Sequence, residues 1–357
     1  MRTQPDPTQL SPDRLYGYPM VSIVTEPAEV TADWLSEVLN VRVKEITAHE
    51  PIGTGQMSRN FRFEFIADGL SSVVLKVPAE DKSLRELAAT VYEREVRFYA
   101  DLASLLPCRT PACFFAAITQ SGGDFTLVLE DLAPAQQGDQ IAGCTPAQAG
   151  LALKNLALLH APTWNDSELT AHLAPAPQDN SILGEIYPLA HTQFMERYST
   201  RLMDHTADVL EALVPHVVAW LNGTHDPFTL THADYRLDNL LFTADSAAAV
   251  DWQTIRIGSP GQDVAYFLGN SLPIETRREN EDTLLKAYLD ALFDYGVTGY
   301  DLDQLKADCV LGAWSGPFTA VLGAFAATDT ERGDEMFIVM ADRSAAQILD
   351  QGGRPYL

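Results

Sequence analysis

The sequence predicts an α+β protein of two lobes, an antiparallel sheet with one helix followed by a mainly helical part. Three observations predict it. The first third carries runs with the two-residue period of half-buried strands, the remainder carries the 3.6-residue period of helices with one strand-rich interruption over 228–252, and a connection at 134–144 parts them. A chain of 357 residues is long enough to bury two cores. The expected divisions are an extended N-terminal arm over 1–20, a sheet lobe over 21–132 and a helical lobe over 133–357.

Pro5, Pro7, Pro12 and Pro19 among polar residues favour an extended arm at the start of the chain. Thr31 caps a short helix that reaches Leu39. Strands are expected over 41–51, 60–66 and 72–77, where Phe61, Phe63 and Phe65 alternate with polar neighbours. Gly53-Thr-Gly55 lies between the first two strands and the Ala67-Asp-Gly69 turn between the next two, as in a meander. A helix over 83–105 aligns Leu84, Leu87, Val91, Phe98 and Leu102 on one stripe. Glu95 falls on that stripe, so a carboxylate faces the interior and needs a partner there. Residues 113–118 and 125–129 read as a second strand pair around Ser121-Gly-Gly123. Thr145-Pro-Ala-Gln148 is a capping box that opens a helix reaching His160. Helical periods recur near 185–221, 280–295, 303–328 and 331–350.

Lysine and arginine number 24 against 49 aspartates and glutamates, a formal net charge of −25. The field of such a molecule repels nucleic acid and anionic membrane surfaces, and neither is expected as a partner. Cys108, Cys113, Cys144 and Cys309 lack zinc-site spacing and read as buried thiols. The first residues lack the apolar core of a signal peptide, and no window is expected to approach the roughly 20 apolar residues of a membrane span. A cytoplasmic protein is the expectation.

Chemistry concentrates in the strand-rich interruption. His232-x-Asp234-x-x-x-x-Asn239 has the spacing of a kinase catalytic loop, in which the aspartate accepts a hydroxyl proton and the asparagine holds Mg²⁺. Twelve residues after Asn239, Asp251 ends the apolar run Ala248-Ala-Val, where a second metal-binding carboxylate would sit. An amide and a carboxylate are the hard oxygen donors that suit Mg²⁺. Lys76, in Val73-Val-Leu-Lys76, stands within an apolar strand, and pairing with Glu95 accounts for both charges on otherwise apolar faces. Gly53 and Gly55 form a turn whose backbone N–H groups are able to approach phosphate.

In this order the glycine turn, Val-Val-Leu-Lys76, Glu95-Val-Arg-Phe-Tyr99, Leu129-Glu-Asp-Leu132, Leu159-His-Ala161, the His232 to Asn239 loop, Val250-Asp-Trp252 and Asp263-x-Ala265 resemble the aminoglycoside phosphotransferase family of the kinase-like fold, together with its ecdysteroid-kinase and choline-kinase relatives. The likeness spans about residues 45 to 275. It implies a protein-kinase-like two-lobed fold with ATP in the cleft and transfer of the γ-phosphoryl group to a small-molecule alcohol. It further implies Asp234 as catalytic base, Asn239 and Asp251 on Mg²⁺, Lys76 and Glu95 orienting phosphates, and backbone groups of Glu130 and Leu132 meeting adenine. Asp263 would brace the catalytic loop.

Ala233 replaces the family's usual glycine, the third glycine of G-x-G-x-x-G is replaced by Ser58, and Trp252 stands where protein kinases carry phenylalanine. The last change and the lack of an A-P-E segment favour small-molecule kinases. His160, Trp314 and Phe318 read as core residues. Glu331, Asp334 and Glu335 read as a solvated helix end or as a face for a cationic amine. A nucleotide-binding pseudokinase without transfer is the rival reading, although Lys76, Asp234 and Asp251 are all present. Among acceptors an unidentified metabolic alcohol ranks above an aminoglycoside or other antibiotic.

Overall fold

The computed structural model describes residues 21–53, 57–168, 180–223 and 226–353, so the expected arm over 1–20 and the expected phosphate turn residue Gly55 lie outside the described residues. The chain divides into two compact units, Met1–Leu105 with Pro111–Asp131, and Leu106–Thr110 with Leu132–Leu357.

The first unit is built on a five-stranded antiparallel sheet of β1 (Glu45–Ile52), β2 (Ser58–Ile66), β3 (Ser72–Pro78), β4 (Cys113–Ile118) and β5 (Phe125–Glu130), in the order β1-β2-β3-β5-β4. Strand alternation sends Phe63 and Phe65 of β2 and Val73, Leu75 and Val77 of β3 into one core with Phe115 and Val128. Helix α1 (Ala32–Leu39), capped by Thr31, closes this core with Trp34, Leu35 and Val38. The Trp34 ring meets Phe115 edge-on at 5.9 Å. By the same alternation Lys76 lies on the opposite side of β3 from Leu75. Helix α2 (Lys82–Arg97) covers that face, its Tyr92 ring 4.6 Å from Phe125.

The stripe expected along this helix requires correction. Leu84 is 48% and Leu87 82% exposed, whereas Arg85, Ala88, Tyr92, Glu95 and Val96 are buried. Polar partners decide the rotation of the helix. The Arg85 guanidinium donates to Ala79 O and to Asp124 at 2.8 Å, and the Tyr92 hydroxyl accepts from Ala79 N and donates to Met57 O. These bonds turn the carriers of polar groups inward at the expense of two leucines. The helix also ends earlier than expected, passing into a wider π-turn at Phe98–Leu102 that buries Phe98, Tyr99 and Leu102.

In the second unit β6 (Gln136–Gln137) precedes α3 (Pro146–His160), which begins with the expected capping box at Thr145 and Gln148. Helices α4 (Ser181–Tyr198), α5 (Thr206–Leu213) and α6 (Val217–Leu221) follow. Next come β7 (Thr229–Thr231), β8 (Leu240–Phe242), β9 (Ala247–Ala249) and β10 (Arg256–Gly258), paired as β6-β8-β9 and β10-β7. The chain ends with α7 (Pro260–Ser271), α8 (Ile274–Asp294), α9 (Leu302–Gly312), α10 (Ser315–Ala326) and α11 (Glu331–Asp350). Residues 106–110 belong here because Arg109 O accepts from Ala249 N at 3.0 Å and Thr110 Oγ1 donates to Ala249 O at 3.0 Å.

Helix α7 is buried on every side. A Cβ on Gly261 would stand 2.5 Å from Asp308 Cβ, and one on Gly312 only 2.3 Å from Gly261 O, so glycine is what lets α9 approach α7. This contact bears on the membrane expectation, which one stretch overturns. Leu302–Ala326 is long and apolar enough by composition to cross a membrane. In the fold it is broken at Ala313–Trp314 into α9 and α10, which pack on α7 and on α11 with half of the stretch buried.

Candidate active site

In the first unit the pairing of β2, β3 and β5 sets Lys76 opposite Asn60 on one side and Leu127 on the other. Its Nζ lies 2.7 Å from Glu95 Oε1 and 2.6 Å from Oε2, and both residues are buried. The sheet and helix therefore deliver the predicted charge pair across 19 residues of sequence. Removing charge from one partner leaves the other uncompensated. Glu95→Gln is expected to lower stability by about 1–3 kcal/mol, as read by urea unfolding. An unchanged unfolding midpoint would show that other neighbours of Lys76 carry its charge.

Gly53, at the end of β1, has φ +73°, a conformation that favours glycine. The Tyr92 hydroxyl holds Met57 O at the far end of this turn. Glu130 ends β5 with its N–H donating to Ala112 O at 2.8 Å and its carboxylate accepting from Ala112 N at 3.0 Å. Leu132 opens the second unit, its carbonyl accepting from Ala135 N.

In the second unit the loop after β7 is held from three directions. From α7, the Asp263 carboxylate accepts from His232 N at 2.6 Å and from Ala233 N at 2.9 Å. These bonds fix Ala233 at φ +62°, where alanine costs about 1–2 kcal/mol relative to glycine. Burial alone would raise the Asp263 carboxyl, but its hydrogen bond and charge interaction with His160, and its interactions with His232, hold it below the usual carboxylate range. His160 is the buried residue behind it, with Nε2 3.3 Å from Asp263 and Nδ1 2.7 Å from the Tyr288 hydroxyl. From the segment after β9, Val250 O lies 3.0 Å from His232 Nε2. That nitrogen therefore donates, leaving Nδ1 to accept from Asp234 N at 3.3 Å. From the connection near β6, Gln140 Oε1 accepts from Leu237 N at 2.9 Å and Gln140 N donates to Asp238 at 3.1 Å.

The loop presents the Asp234 carboxylate, 17% exposed, with three hydrogen bonds and one further ion-pair contact. Tyr266 OH donates to Oδ1 at 2.7 Å, Asn239 Nδ2 to Oδ2 at 2.9 Å, and Arg236 Nε reaches both oxygens at 3.1 and 3.2 Å. Arg236 is steadied by Met336 Sδ at 3.0 Å, and Asp238 by a two-pronged pair with Arg332 at 2.9 and 3.0 Å, so α11 supports this side of the loop. Sequence reasoning missed Tyr266 and Arg236. Both were within reach of it: Tyr266 is three residues after Asp263 on one helix face, and Arg236 two residues after Asp234.

Asn239 Nδ2 also donates to Asp234 O at 3.0 Å, which commits the amide hydrogens and leaves the carbonyl Oδ1 as the group's remaining polar atom. Asn239 O accepts from Val250 N at 3.0 Å, which brings the backbone beside Asp251 against Asn239. Asp251 itself has φ +66° and begins the short turn Trp252–Thr254. Trp252 is fully buried with Nε1 donating to Thr110 Oγ1 at 2.9 Å, so this ring is anchored. Among the described residues no group of three or more His, Cys, Asp or Glu is arranged to hold a metal ion. One amide oxygen with one carboxylate fits Mg²⁺, which takes few protein ligands and leaves the rest to phosphate and water.

The acidic residues at the start of α11 are engaged by arginines. Asp334 pairs with Arg197 at 2.6 Å and Glu335 with Arg201 at 2.6 Å, while Glu331 is exposed. Trp314 is buried, and Phe318 packs between Tyr187 and Trp220 at 5.8 and 5.3 Å, as core residues do.

The fold is shared with small-molecule kinases. An aminoglycoside phosphotransferase, so described, of Ralstonia eutropha JMP134 superposes with a TM-score of 0.53 at 13% identity, covering 90% of this chain and 98% of that one. Choline kinase of Cryptosporidium parvum superposes with a TM-score of 0.53 at 12% identity, covering 85% of this chain and 88% of that one. These likenesses show a protein-kinase-like fold. A shorter sequence match, 44% identical over 54 residues, is to acyl-CoA dehydrogenase family member 10 of Mus musculus and spans 13% of this chain and 5% of that protein. The model of the ecdysteroid kinase-like family matches residues 66–296, from the end of β2 through Lys76, Glu95 and the Asp234 loop into the turn after α8. More than half of the chain thus follows that family's pattern, and this protein belongs to the ecdysteroid kinase-like family.

Proposed function

We propose that the protein transfers the γ-phosphoryl group of ATP to a hydroxyl of a small molecule. The observation that carries the reading is the Asp234 carboxylate, fixed by Tyr266, Arg236 and Asn239 yet still partly exposed at the loop's surface. In the proposed reaction the acceptor oxygen bonds to the γ-phosphorus, the bond from that phosphorus to the β,γ-bridging oxygen breaks to leave ADP, and the hydroxyl proton passes to Asp234. Positioning and charge neutralisation supply most of the rate. Asn239 and Asp251 would hold Mg²⁺, which neutralises phosphate charge when bound. In the first unit Lys76, kept in place by Glu95, would pair with phosphate oxygens, and Gly53 and Gly55 would bring backbone N–H groups to them. Backbone groups of Glu130 and Leu132 would meet the adenine.

A neutral metabolic alcohol suits this chain better than a polycationic antibiotic, because Asp334 and Glu335 already have arginine partners. The reading places the protein in the cytoplasm, where ATP is abundant.

A thermal-shift titration with Mg·ATP and Mg·GTP, repeated with amino sugars, choline-like amines, sterols and hydroxyacyl thioesters, tests the reading by linkage. Nucleotide should raise the melting temperature and one acceptor class should raise it further. Asp251→Ala should abolish the Mg²⁺-dependent part of the nucleotide shift while leaving the unliganded melting temperature in place. A full Mg²⁺-dependent shift in that variant would remove Asp251 from the metal site, and no shift with either nucleotide in the unaltered protein would overturn the kinase reading.

A further inference from the structure

We infer that Tyr266 is the positioning residue of this site, holding the Asp234 carboxylate in the orientation from which it takes a proton. The inference rests on the reading of Asp234 as the base. Tyr266 belongs to α7, one turn after Asp263, and the two side chains divide the work of holding one loop. Asp263 grips the backbone through the amides of His232 and Ala233, at 2.6 and 2.9 Å. Tyr266 grips the side chain, its hydroxyl donating to Asp234 Oδ1 at 2.7 Å.

The other donors to this carboxylate, Arg236 and Asn239, belong to the same loop, and of these two Arg236 is also steadied from outside it, by the Met336 sulfur. Tyr266 differs in being anchored elsewhere. It sits on a helix buried along its whole length and is itself 1% exposed. Thr319 of α10 stands beside the same phenol and draws its value down slightly. Burial first, and then the negative charge of Asp234, push the phenol well above its ordinary value. The group therefore remains a donor wherever Asp234 is ionised. A carboxylate offers about four lone-pair directions. With Oδ1 held by the phenol and Oδ2 by the Asn239 amide and Arg236 Nε, its plane is fixed and the remaining direction, on Oδ1, is aimed. A proton acceptor misplaced by a fraction of an ångström forfeits much of its advantage.

Tyr266→Phe removes the hydroxyl and keeps the ring. The unaltered protein, Tyr266→Phe and Asp234→Asn are compared in steady-state turnover of Mg·ATP, with water as acceptor and with whichever alcohol raises the melting temperature. Tyr266→Phe should lower kcat by about 10-fold to 100-fold and leave the KM for Mg·ATP unchanged, as loss of aim does. A purely structural hydroxyl would instead lower the melting temperature and leave kcat per folded molecule intact, and that result overturns the inference. Thr319→Val, which alters the surroundings of the phenol without removing it, should show the same split in smaller measure and serves if the phenylalanine variant does not fold. Wild-type kcat in both Tyr266→Phe and Thr319→Val, beside an inactive Asp234→Asn, would overturn the positioning role alone. Wild-type turnover in Asp234→Asn would remove the base assignment and the inference with it.

Discussion

Asp234→Asn is expected to bind Mg·ATP as the unaltered protein does and to lose about 10²–10⁴-fold in turnover, the range that a positioned general base contributes. The substitution keeps the shape of the side chain and an oxygen for the Tyr266 hydroxyl, so the loop has little reason to move. It removes the anionic oxygen that accepts the acceptor's proton and replaces it with an N–H₂ that cannot. It also turns one favourable contact into an unfavourable one, since Asn239 Nδ2, now 2.9 Å from Asp234 Oδ2, would face another donor or force the amide to flip. Calorimetric titration with Mg·ATP and single-turnover phosphate transfer separate these effects. Retained nucleotide affinity with lost transfer supports the base role. Retained transfer ends it, and loss of both would mean that the substitution has disturbed the metal site through Asn239.

The parts legible in the sequence were those in which local period and chemistry agree. Lys76 stood out as a charge in an apolar strand and Glu95 as a charge on a helix face, and in the folded unit they meet at 2.6 to 2.7 Å. The loop from His232 to Asn239 was visible because its polar residues recur at fixed offsets within eight positions. The orientation of α2 was not legible. Apolar count alone puts Leu84 and Leu87 inside, but the buried hydrogen bonds of Arg85 and Tyr92 outweigh two leucines, and partners such as Ala79, Asp124 and Met57 cannot be inferred from the helix itself. The supports of the loop from His232 to Asn239 were hidden for a related reason. Gln140 reaches Leu237 across 97 residues, Arg236 reaches Met336 across 100 and Arg332 reaches Asp238 across 94. Each is an ordinary polar residue whose meaning comes only from packing. The acidic residues near 334 were ambiguous in sequence for the same reason, until Arg197 and Arg201 on and beside α4 supplied their partners.

Asp263→Ala is expected to destabilise the second unit by about 3–5 kcal/mol, the cost of leaving several buried donors without their acceptor, and to abolish transfer in the molecules that still fold. Three groups lose their acceptor at once: the amides of His232 and Ala233 and the His160 ring, all buried or half-buried. The left-handed backbone at Ala233 would then have little to hold it, and relaxation of that one residue swings Asp234 away from Tyr266. Asp263→Asn keeps one acceptor oxygen but sets an N–H₂ against a second amide, so its cost should be smaller, about 1–3 kcal/mol. The pH dependence separates the two ideas of what Asp263 does. Its folded value lies below the usual carboxylate range, so its contribution is fully present above the unfolded value near 3.9 and disappears as pH falls through the lower folded value. The difference in unfolding free energy between the unaltered protein and Asp263→Ala should therefore shrink on acidification below about 4. A difference that persists undiminished in acid would mean that Asp263 acts by filling space rather than as the charged anchor of the loop that carries Asp234.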